Sequence, residues 1–190
     1  AFGVARFGEA LALRDASIAH RIVLVEGAGC AEQVAAAAQL RLDLVVHSFE
    51  QIAMLEQART DARFEVWLKI DTGMNRLGFR HDNLQRTLPG VLASPNLRVE
   101  AVFTHFASAD VPESPVLEAR RQHFERALRT VADLCAGDAG IAGAARCDVS
   151  KITRHACNSA ALLRDSRVWY DAVRPGLLLY GIVPPPLAST

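Results

Sequence analysis

Short apolar segments alternate with helix-forming segments along almost the whole chain, and this alternation constrains the fold more than any other feature. Seven apolar or β-branched runs favour strands: residues 2–5, 21–25, 42–46, 64–71, 99–106, 154–157 and 173–179. Helical spacing of apolar residues predicts helices over residues 8–15, 31–40, 49–59, 81–92 and 116–135, and another from Ser159. Residues 136–145, rich in glycine and alanine, are expected to form a loop.

Regular alternation of strand and helix indicates a parallel sheet with right-handed crossovers. No Gly-x-Gly-x-x-Gly turn follows the first predicted strand, which argues against a dinucleotide-binding fold. The predicted fold class is α/β, a (β/α)8-type TIM barrel that is incomplete, because one strand is lacking at the N-terminal side and such barrels run to ~250 residues. We expect residues 1–183 to form this partial barrel and residues 184–190 to begin a connection to a further domain.

Composition excludes several classes of partner. The 21 basic and 21 acidic side chains cancel, so we expect no binding to nucleic acid or to anionic membranes. No apolar stretch approaches the ~18 residues of a membrane-spanning helix, and no secretory leader is recognised. The four cysteines form no Cys-x-x-Cys pair, so we expect no metal site and free thiols in a cytoplasmic protein: Cys30, Cys135, Cys147 and Cys157.

The segment that begins at Lys69, Lys-Ile-Asp-Thr-Gly-Met-Asn-Arg-Leu-Gly-Phe, is the most distinctive in the chain. An apolar run leads into it, so a strand would deliver Lys69 to its carboxyl end. Gly73 and Gly78 would allow a tight turn that presents Arg76. Because α/β enzymes place their chemistry at the carboxyl ends of strands, Lys69 and Arg76 are candidate site residues.

Three later predicted strands also end in residues that can bind a flat, phosphorylated ligand. His105 offers a ring that can stack on a pyridine, and Asn158 and Ser159 open a helix whose free N–H groups suit a phosphate. Arg174 can donate to a ring nitrogen, and Gly176 would let a backbone N–H approach a phosphate closely.

Each of these residues also has a purely structural interpretation. His105 could be an ordinary core histidine, and the Asn-Ser pair could simply cap a helix. Arg-Pro-Gly at Arg174 could be a plain turn, and Lys69 could extend to the rim of the sheet. His155, just before the Asn-Ser pair, could orient that pair. The functional interpretation is favoured because the candidates stand at the same end of successive strands.

Four motifs, taken in their order along the chain, resemble those of the alanine racemase family. These are Lys-Ile-Asp-Thr-Gly-Met-Asn-Arg-Leu-Gly, Thr-His-Phe-Ala-Ser-Ala-Asp, His-Ala-Cys-Asn-Ser-Ala-Ala and Val-Arg-Pro-Gly-Leu-Leu-Leu-Tyr-Gly. The resemblance extends over nearly the whole chain. It implies an isomerase that depends on pyridoxal 5'-phosphate and interconverts L-alanine and D-alanine, supplying D-alanine for peptidoglycan. It also implies a barrel domain followed by a β-rich domain, in a homodimer of the complete protein.

The resemblance assigns a role to each candidate. Lys69 looks like a lysine carboxylated by carbon dioxide, whose anionic carbamate would hold Arg76 in place. Arg76 looks like the residue that contacts the cofactor phenolate and the substrate carboxylate, and His105 looks like the ring stacked on the pyridine. Arg174 looks like the partner of the pyridine nitrogen, which would stay unprotonated. The phosphate-binding residues would be Asn158, Ser159, Gly176 and Leu177.

Two residues that the family pattern requires have no counterpart. The cofactor lysine belongs to a Lys-Ala-(Asn/Asp)-Ala-Tyr-Gly segment that is absent, and Lys151, the lysine other than Lys69, stands at the wrong end of its strand. The second acid/base is a tyrosine of the C-terminal domain, which Tyr170 and Tyr180 do not match. We therefore predict that these 190 residues contain no catalytic base and do not racemise alanine alone. The lacking strand would also leave unpaired sheet edges and a tendency to aggregate.

Other functions remain open at this point. The same barrel occurs in racemases of serine or of broad specificity. It also occurs in non-catalytic pyridoxal-phosphate-binding proteins, against which the pairing of Lys69 with Arg76 argues. A decarboxylase on this barrel commonly has an acidic partner for the ring nitrogen, so Arg174 argues against that class.

Overall fold

Seven parallel strands form one sheet whose spatial order follows the chain from β1 to β7. The computed structural model describes residues 1–60, 63–111, 114–136 and 147–185. The strands are β1 (Phe2–Val4), β2 (Ile22–Leu24), β3 (Asp43–Val46), β4 (Phe64–Lys69), β5 (Leu97–Phe103), β6 (Thr153–Cys157) and β7 (Ala172–Val173). Each predicted strand has a counterpart, so the alternation in the sequence is confirmed as a parallel α/β sheet.

The connections between strands are helical. The helices are α1 (Phe7–Asp15), α2 (Ala31–Leu40), α3 (Phe49–Glu56), α4 (His81–Ala93), α5 (Val116–Ala136), α6 (Ser159–Arg164) and α7 (Gly176–Leu179), with short 3-10 helices at Val149–Lys151 and Ser166–Val168. Ser48 caps α3 by accepting a hydrogen bond from the Gln51 N–H. Ser48 and Gln51 have the sequence pattern of a capping box, but the Gln51 side chain accepts a hydrogen bond from the His47 N–H rather than from the Ser48 N–H, so only half of the box is formed.

Both faces of the sheet are buried. Successive side chains of a strand point to opposite faces, so alternate residues of β2 and β3 join different apolar clusters. Ile22, Leu24 and Leu44 belong to the large core that includes residues of the helices, whereas Val23 and Val45 pack with Phe103 on the other face. The continuous apolar runs of these strands follow from burial on both faces, which is typical of parallel sheets.

The prediction for the last strand was wrong in its extent. Residues 173–179 were expected to be one strand, but β7 ends at Val173 and Gly176–Leu179 is the helix α7. Pro175 stands immediately before α7, where its fixed φ and lack of an N–H suit the start of a helix. The run Leu177–Leu179 contains no β-branched residue, so its apolar character alone did not distinguish strand from helix.

The cysteine prediction is also corrected in part. Cys135 and Cys147 are bonded as a disulfide with a Cα–Cα distance of 4.8 Å, whereas Cys30 and Cys157 are free. The end of α5 and the start of the segment before β6 meet because β5 and β6 are neighbours in the sheet. This proximity is a tertiary property that cysteine spacing did not reveal. The predicted loop at residues 136–145 lies outside the described residues except for Ala136, which ends α5.

Among the described helices, none combines the length and apolar character needed to cross a membrane.

Candidate functional site

The carboxyl ends of β4 to β7 bring the predicted site residues to one edge of the sheet. Lys69 of β4 is paired in register with Phe103 of β5, and Phe103 is paired with His155 of β6. These three side chains therefore stand at the same level on neighbouring strands. His105 lies two residues beyond Phe103, just past the carboxyl end of β5. We call the region surrounded by the carboxyl ends of β4 to β7 the mouth.

Lys69 is a buried cation. Only 5% of the residue is exposed, and its Nζ lies 5.3 Å from the centroid of the Phe103 ring. Burial, together with the positive charges of Arg174 and Arg76, lowers the pKa of Lys69 from 10.5 to about 8, and the Asp71 carboxylate opposes this shift. About a tenth of the Lys69 amine is therefore uncharged at pH 7, which is far more than for an exposed lysine.

The turn after β4 positions Arg76. The Asp71 carboxylate accepts hydrogen bonds from the backbone N–H groups of Gly73 (2.8 Å) and Asn75 (3.1 Å). Gly78 has a φ of +125°, and an added Cβ would lie 2.7 Å from the Asp71 nitrogen, so a glycine is required there. Arg76 is exposed at this turn, close enough for its charge to lower the pKa values of Lys69 and His105.

His105 is held as a neutral ring. Its Nε2 lies 3.4 Å from the side-chain amide of Asn158, which also donates to the carbonyl of Phe106 at 3.1 Å. Burial lowers the pKa of His105 to about 4, with contributions from Arg174, Lys69 and Arg76. Asn158 also caps α6 by accepting a hydrogen bond from the Ala161 N–H (2.9 Å), so the capping interpretation of this side chain is confirmed.

Ser159 joins the starts of α6 and α7. Its buried hydroxyl oxygen accepts hydrogen bonds from the backbone N–H groups of Leu177 (3.0 Å) and Leu178 (3.3 Å). Its own hydrogen has no acceptor among the described residues, so it can donate to a ligand. A Cβ added at Gly176 would have nothing within 4 Å, so that side of the backbone is open. The Gly176 N–H itself donates to the Arg174 carbonyl at 2.9 Å.

Arg174 lies beneath the mouth and is fixed by neighbouring strands. Its Nη2 donates to the carbonyls of Thr104 (2.7 Å) and Ala156 (3.2 Å), and its Nη1 contacts Nδ1 of His155. Burial lowers the pKa of Arg174 to about 10, so the guanidinium stays protonated at neutral pH. The Nε–H has no acceptor among the residues that the structure describes, which leaves a donor for a ligand atom.

Sequence reasoning missed the aromatic support under the site. The His155 ring stacks on Phe103 with centroids 4.7 Å apart and meets Trp67 edge-on at 5.0 Å. The His155 ring contacts Arg174, and no hydrogen bond joins it to the Asn-Ser pair in the described part of the chain, so it does not orient that pair directly. Its Nε2 is buried without a partner in the described part of the chain. Alternation along β6 could have identified His155 as facing inward, but nothing in the sequence indicated its partner.

Comparison with known proteins gives a consistent result. The family model "Alanine racemase, N-terminal domain" matches residues 1–184. The chain belongs to this family. An alanine racemase from Halorhodospira halophila is 36% identical over 185 residues, which are 97% of this chain and 46% of that protein. One from Nitrosococcus oceani is 37% identical over 185 residues, again 97% and 46%.

Solved structures agree with the sequence relatives. The biosynthetic alanine racemase from Pseudomonas aeruginosa superposes with a TM-score of 0.76 at 36% identity, covering 96% of this chain and 46% of that one. The alanine racemase from Corynebacterium glutamicum gives 0.79 at 31% identity, covering 97% and 49%. The resemblance to alanine racemases is thus confirmed, and the chain spans about half the length of the relatives it matches.

Proposed function

We propose that the mouth formed by β4 to β7 binds pyridoxal 5'-phosphate and that the complete protein is a racemase of alanine. The observation that carries the proposal is the convergence of Lys69, Arg174 and His105. Lys69 Nζ and the Arg174 guanidinium lie 5.3 and 5.2 Å from the centroid of the Phe103 ring, and His105 contacts Asn158, the residue before Ser159. A cation-rich, partly buried site beside the amino ends of two helices suits a phosphorylated aromatic ligand. When bound, the cofactor would supply an electron-withdrawing ring that acidifies the substrate Cα–H.

The residues of the mouth fit that group. The Ser159 hydroxyl has a free hydrogen, Asn158 and the Leu177 N–H lie beside it, and the open side of Gly176 admits a phosphate. The neutral ring of His105 can stack on a pyridine without adding another charge to a site that already holds several cations. These features support the assignment of the phosphate to this end of α6 and α7.

Arg174 would orient the ring and limit its protonation. Three of its N–H contacts are to Thr104, Ala156 and His155, which hold the guanidinium plane in place. Because the guanidinium stays protonated, a ring nitrogen that accepts its hydrogen bond would itself stay unprotonated. The chain's contribution at this point is thus a fixed donor, which weakens electron withdrawal by the ring and so disfavours side reactions.

We further propose that Lys69 is carboxylated. Carbon dioxide adds to an uncharged amine: the nitrogen lone pair forms the N–C bond and a proton leaves for solvent. A pKa of about 8 leaves about a tenth of Lys69 uncharged at pH 7. The carbamate would replace a positive charge by a negative one beside Arg76 and Arg174, removing the repulsion that now lowers the Lys69 pKa. Arg76 would then be held to contact the cofactor and the substrate carboxylate.

Catalysis by the complete protein requires more than this site. Removal of the substrate proton on one face and its return on the other need two bases. Lys69 is assigned to the carbamate, and Lys151 is exposed and paired with Asp148 beside the amino end of β6. We propose that the 190 residues alone do not racemise alanine. For the complete protein we propose a cytoplasmic homodimer that supplies D-alanine for peptidoglycan.

Cofactor titration tests the binding proposal. We expect pyridoxal 5'-phosphate to quench the intrinsic tryptophan fluorescence of the chain and to bind more tightly than pyridoxal, which lacks the phosphate. Ser159→Ala should lower the affinity for pyridoxal 5'-phosphate by about tenfold, because a hydrogen bond to a charged group is lost. The affinity for pyridoxal should not change. Ser166→Ala, at an exposed serine away from the mouth, is the matched control. Equal weakening of both ligands would contradict the phosphate assignment.

Racemisation itself is tested on the complete gene product. We expect D-alanine to form from L-alanine with bound pyridoxal phosphate, measured by a D-amino-acid oxidase assay. Faster turnover of serine would favour the racemase of serine or broad specificity. Cofactor binding without racemisation of any amino acid would favour a non-catalytic pyridoxal-phosphate-binding protein.

A further inference from the structure

A second polar cleft lies behind the turn that follows β4. Its volume is about 400 Å³, and it is bounded by that turn, by the start of α4 and by one face of α5. Its lining shares no residue with the set that would hold pyridoxal phosphate. The volume suits a small metabolite rather than a single ion.

Three arginines line this cleft: Arg80 just before α4, and Arg120 and Arg126 on α5. In the described part of the chain, none of the three makes an ion pair with a carboxylate. Other arginines of the molecule do so, namely Arg21, Arg98, Arg121, Arg154 and Arg167. Some arginines outside the cleft, such as Arg86 and Arg129, also lack an ion pair among the described residues, so the distinguishing feature of the cleft is that three such arginines line one concave site.

The two carboxylates that line the cleft do not neutralise these arginines. Asp71 is occupied by the backbone N–H groups of Gly73 and Asn75. Asp82 lies in the first turn of α4, where the helix end itself stabilises a negative charge. No arginine nitrogen of the cleft lies within 4.0 Å of either carboxylate, so neither carboxylate competes with an external anion for the guanidinium groups.

Arg120 is held ready by the backbone of the turn. Its Nη1 donates to the Thr72 carbonyl at 2.7 Å, and its guanidinium lies against Gly73, where an added Cβ would come within 1.7 Å of that nitrogen. Its Nε is buried and has no partner among the residues the structure describes. A guanidinium fixed in this way loses little entropy when it binds a ligand.

We propose that this cleft is a binding site for an oxyanion, the phosphate or carboxylate group of a small metabolite, distinct from the cofactor site. Arg80, Arg120 and Arg126 supply the positive charge and the N–H donors, since guanidinium groups match oxyanions in geometry. His81 and His123 line the same cleft, and imidazole N–H groups can donate to the same ligand.

Calorimetric titration with inorganic phosphate, and separately with citrate, tests the proposal. The 190-residue chain carries Ser159→Ala throughout, so that phosphate binding at the cofactor site is weakened, and ionic strength is constant. Of phosphate and citrate, the anion that binds more tightly should lose at least about tenfold in affinity in the double variant Arg80→Gln, Arg126→Gln. Arg129→Gln is the matched control, because Arg129 is an exposed arginine of α5 that does not line the cleft. The affinity of the Arg129→Gln variant for the same anion should change by less than about twofold.

The outcomes separate cleanly. Tighter binding of phosphate than citrate identifies a phosphate ligand, and the reverse identifies a carboxylate. The proposal is overturned if neither anion binds in the Ser159→Ala background, or if the double variant binds as well as the control. Arg80 and Arg126 are exposed and unpaired among described residues, so their substitution should leave the thermal unfolding midpoint unchanged. If the double variant fails to fold, Arg126→Gln alone gives the same comparison.

Discussion

The fold changes the acid–base chemistry of Lys69, which the sequence presents as an ordinary lysine. Lys151, the second lysine, has a side chain that is 82% exposed and pairs with Asp148. Lys69 is buried beside the Phe103 ring and two arginines, so its pKa falls to about 8. The difference between the two lysines arises from desolvation and like-charge repulsion, which depend on contacts between strands.

Carboxylation of Lys69 is directly measurable. With 13C-bicarbonate in the buffer, we expect one carbamate resonance in the 13C NMR spectrum that grows between pH 7 and pH 9, as the Lys69 amine loses its proton. The resonance should disappear in Lys69→Ala and persist in the control Lys151→Ala. A resonance that survives Lys69→Ala, or none in the unsubstituted chain, would show that this lysine is not carboxylated.

His105 should make the folded state sensitive to acid. Its pKa is about 4 in the folded chain against an ordinary 6.5, so the unfolded chain binds more protons between these values. Stability is fully present above pH 6.5 and is lost as pH falls towards 4. Between pH 7 and pH 4, the free energy of unfolding of His105→Gln should fall by about 3 kcal/mol less than that of the unsubstituted protein, as measured by urea titration. The exposed His20, replaced in His20→Gln, is the control, and an identical pH dependence in His105→Gln would refute this account.

At the level of elements, the connection from β4 to α4 carries the site because it is a tight, glycine-dependent turn. The Asp71 N–H donates to the Phe79 carbonyl and the Phe79 N–H donates to the Lys69 carbonyl, both at 2.9 Å. Gly78 sits inside this pair of hydrogen bonds at a φ of +125°. The turn therefore fixes the position of Arg76 relative to Lys69, although the two side chains belong to different parts of the motif.

Two glycine substitutions should have opposite effects. Gly78→Ala would place a Cβ 2.7 Å from the Asp71 nitrogen at a positive φ, so we expect a loss of at least about 2 kcal/mol and a displaced Arg76. Gly90→Ala, within α4 and with nothing within 4 Å of the added carbon, should gain about 0.5–1 kcal/mol. Guanidinium unfolding curves measure both, and a Gly78→Ala variant as stable as Gly90→Ala would show that the turn does not require a glycine.

For the whole molecule, the order of strands has an energetic consequence. Among the described residues, β1 pairs with β2 alone and β7 with β6 alone, so the sheet presents two edges. Phe2 on β1 is 46% exposed and Val173 on β7 is 38% exposed. Exposed apolar edge strands offer unpaired backbone groups to other chains, so they favour self-association.

Self-association through these edges is a testable expectation. We expect the average mass from sedimentation equilibrium to rise with concentration, and the double variant Phe2→Lys, Val173→Lys to reduce this rise, because charged edge residues oppose strand pairing. Leu11→Lys, which adds the same charge at an exposed leucine of α1, is the control. A chain that stays monomeric to about 100 µM would contradict the edge explanation.

Much of the candidate site could be predicted from the sequence, because the helix caps, turns and strand ends that form it depend on residues close together in the chain. Asn158 before α6 has the composition of a helix cap, and it is one in the structure. Parallel strands place their carboxyl ends at one edge, so motifs that follow successive strands were expected to meet. The helix α2 at residues 31–40 was predicted with its observed bounds, since its alanine-rich segment has a strong local preference.

The sequence by itself determined the alternation of strands and helices, the parallel sheet and the set of polar residues at one edge. Only the tertiary structure decided which of those residues contact one another: that Arg174 bonds to β5 and β6 through Thr104 and His155, and that Cys135 meets Cys147. The physical reason is range. Backbone preference and hydrophobic period act over a few residues, whereas burial, pKa and side-chain pairing depend on neighbours brought together by the sheet.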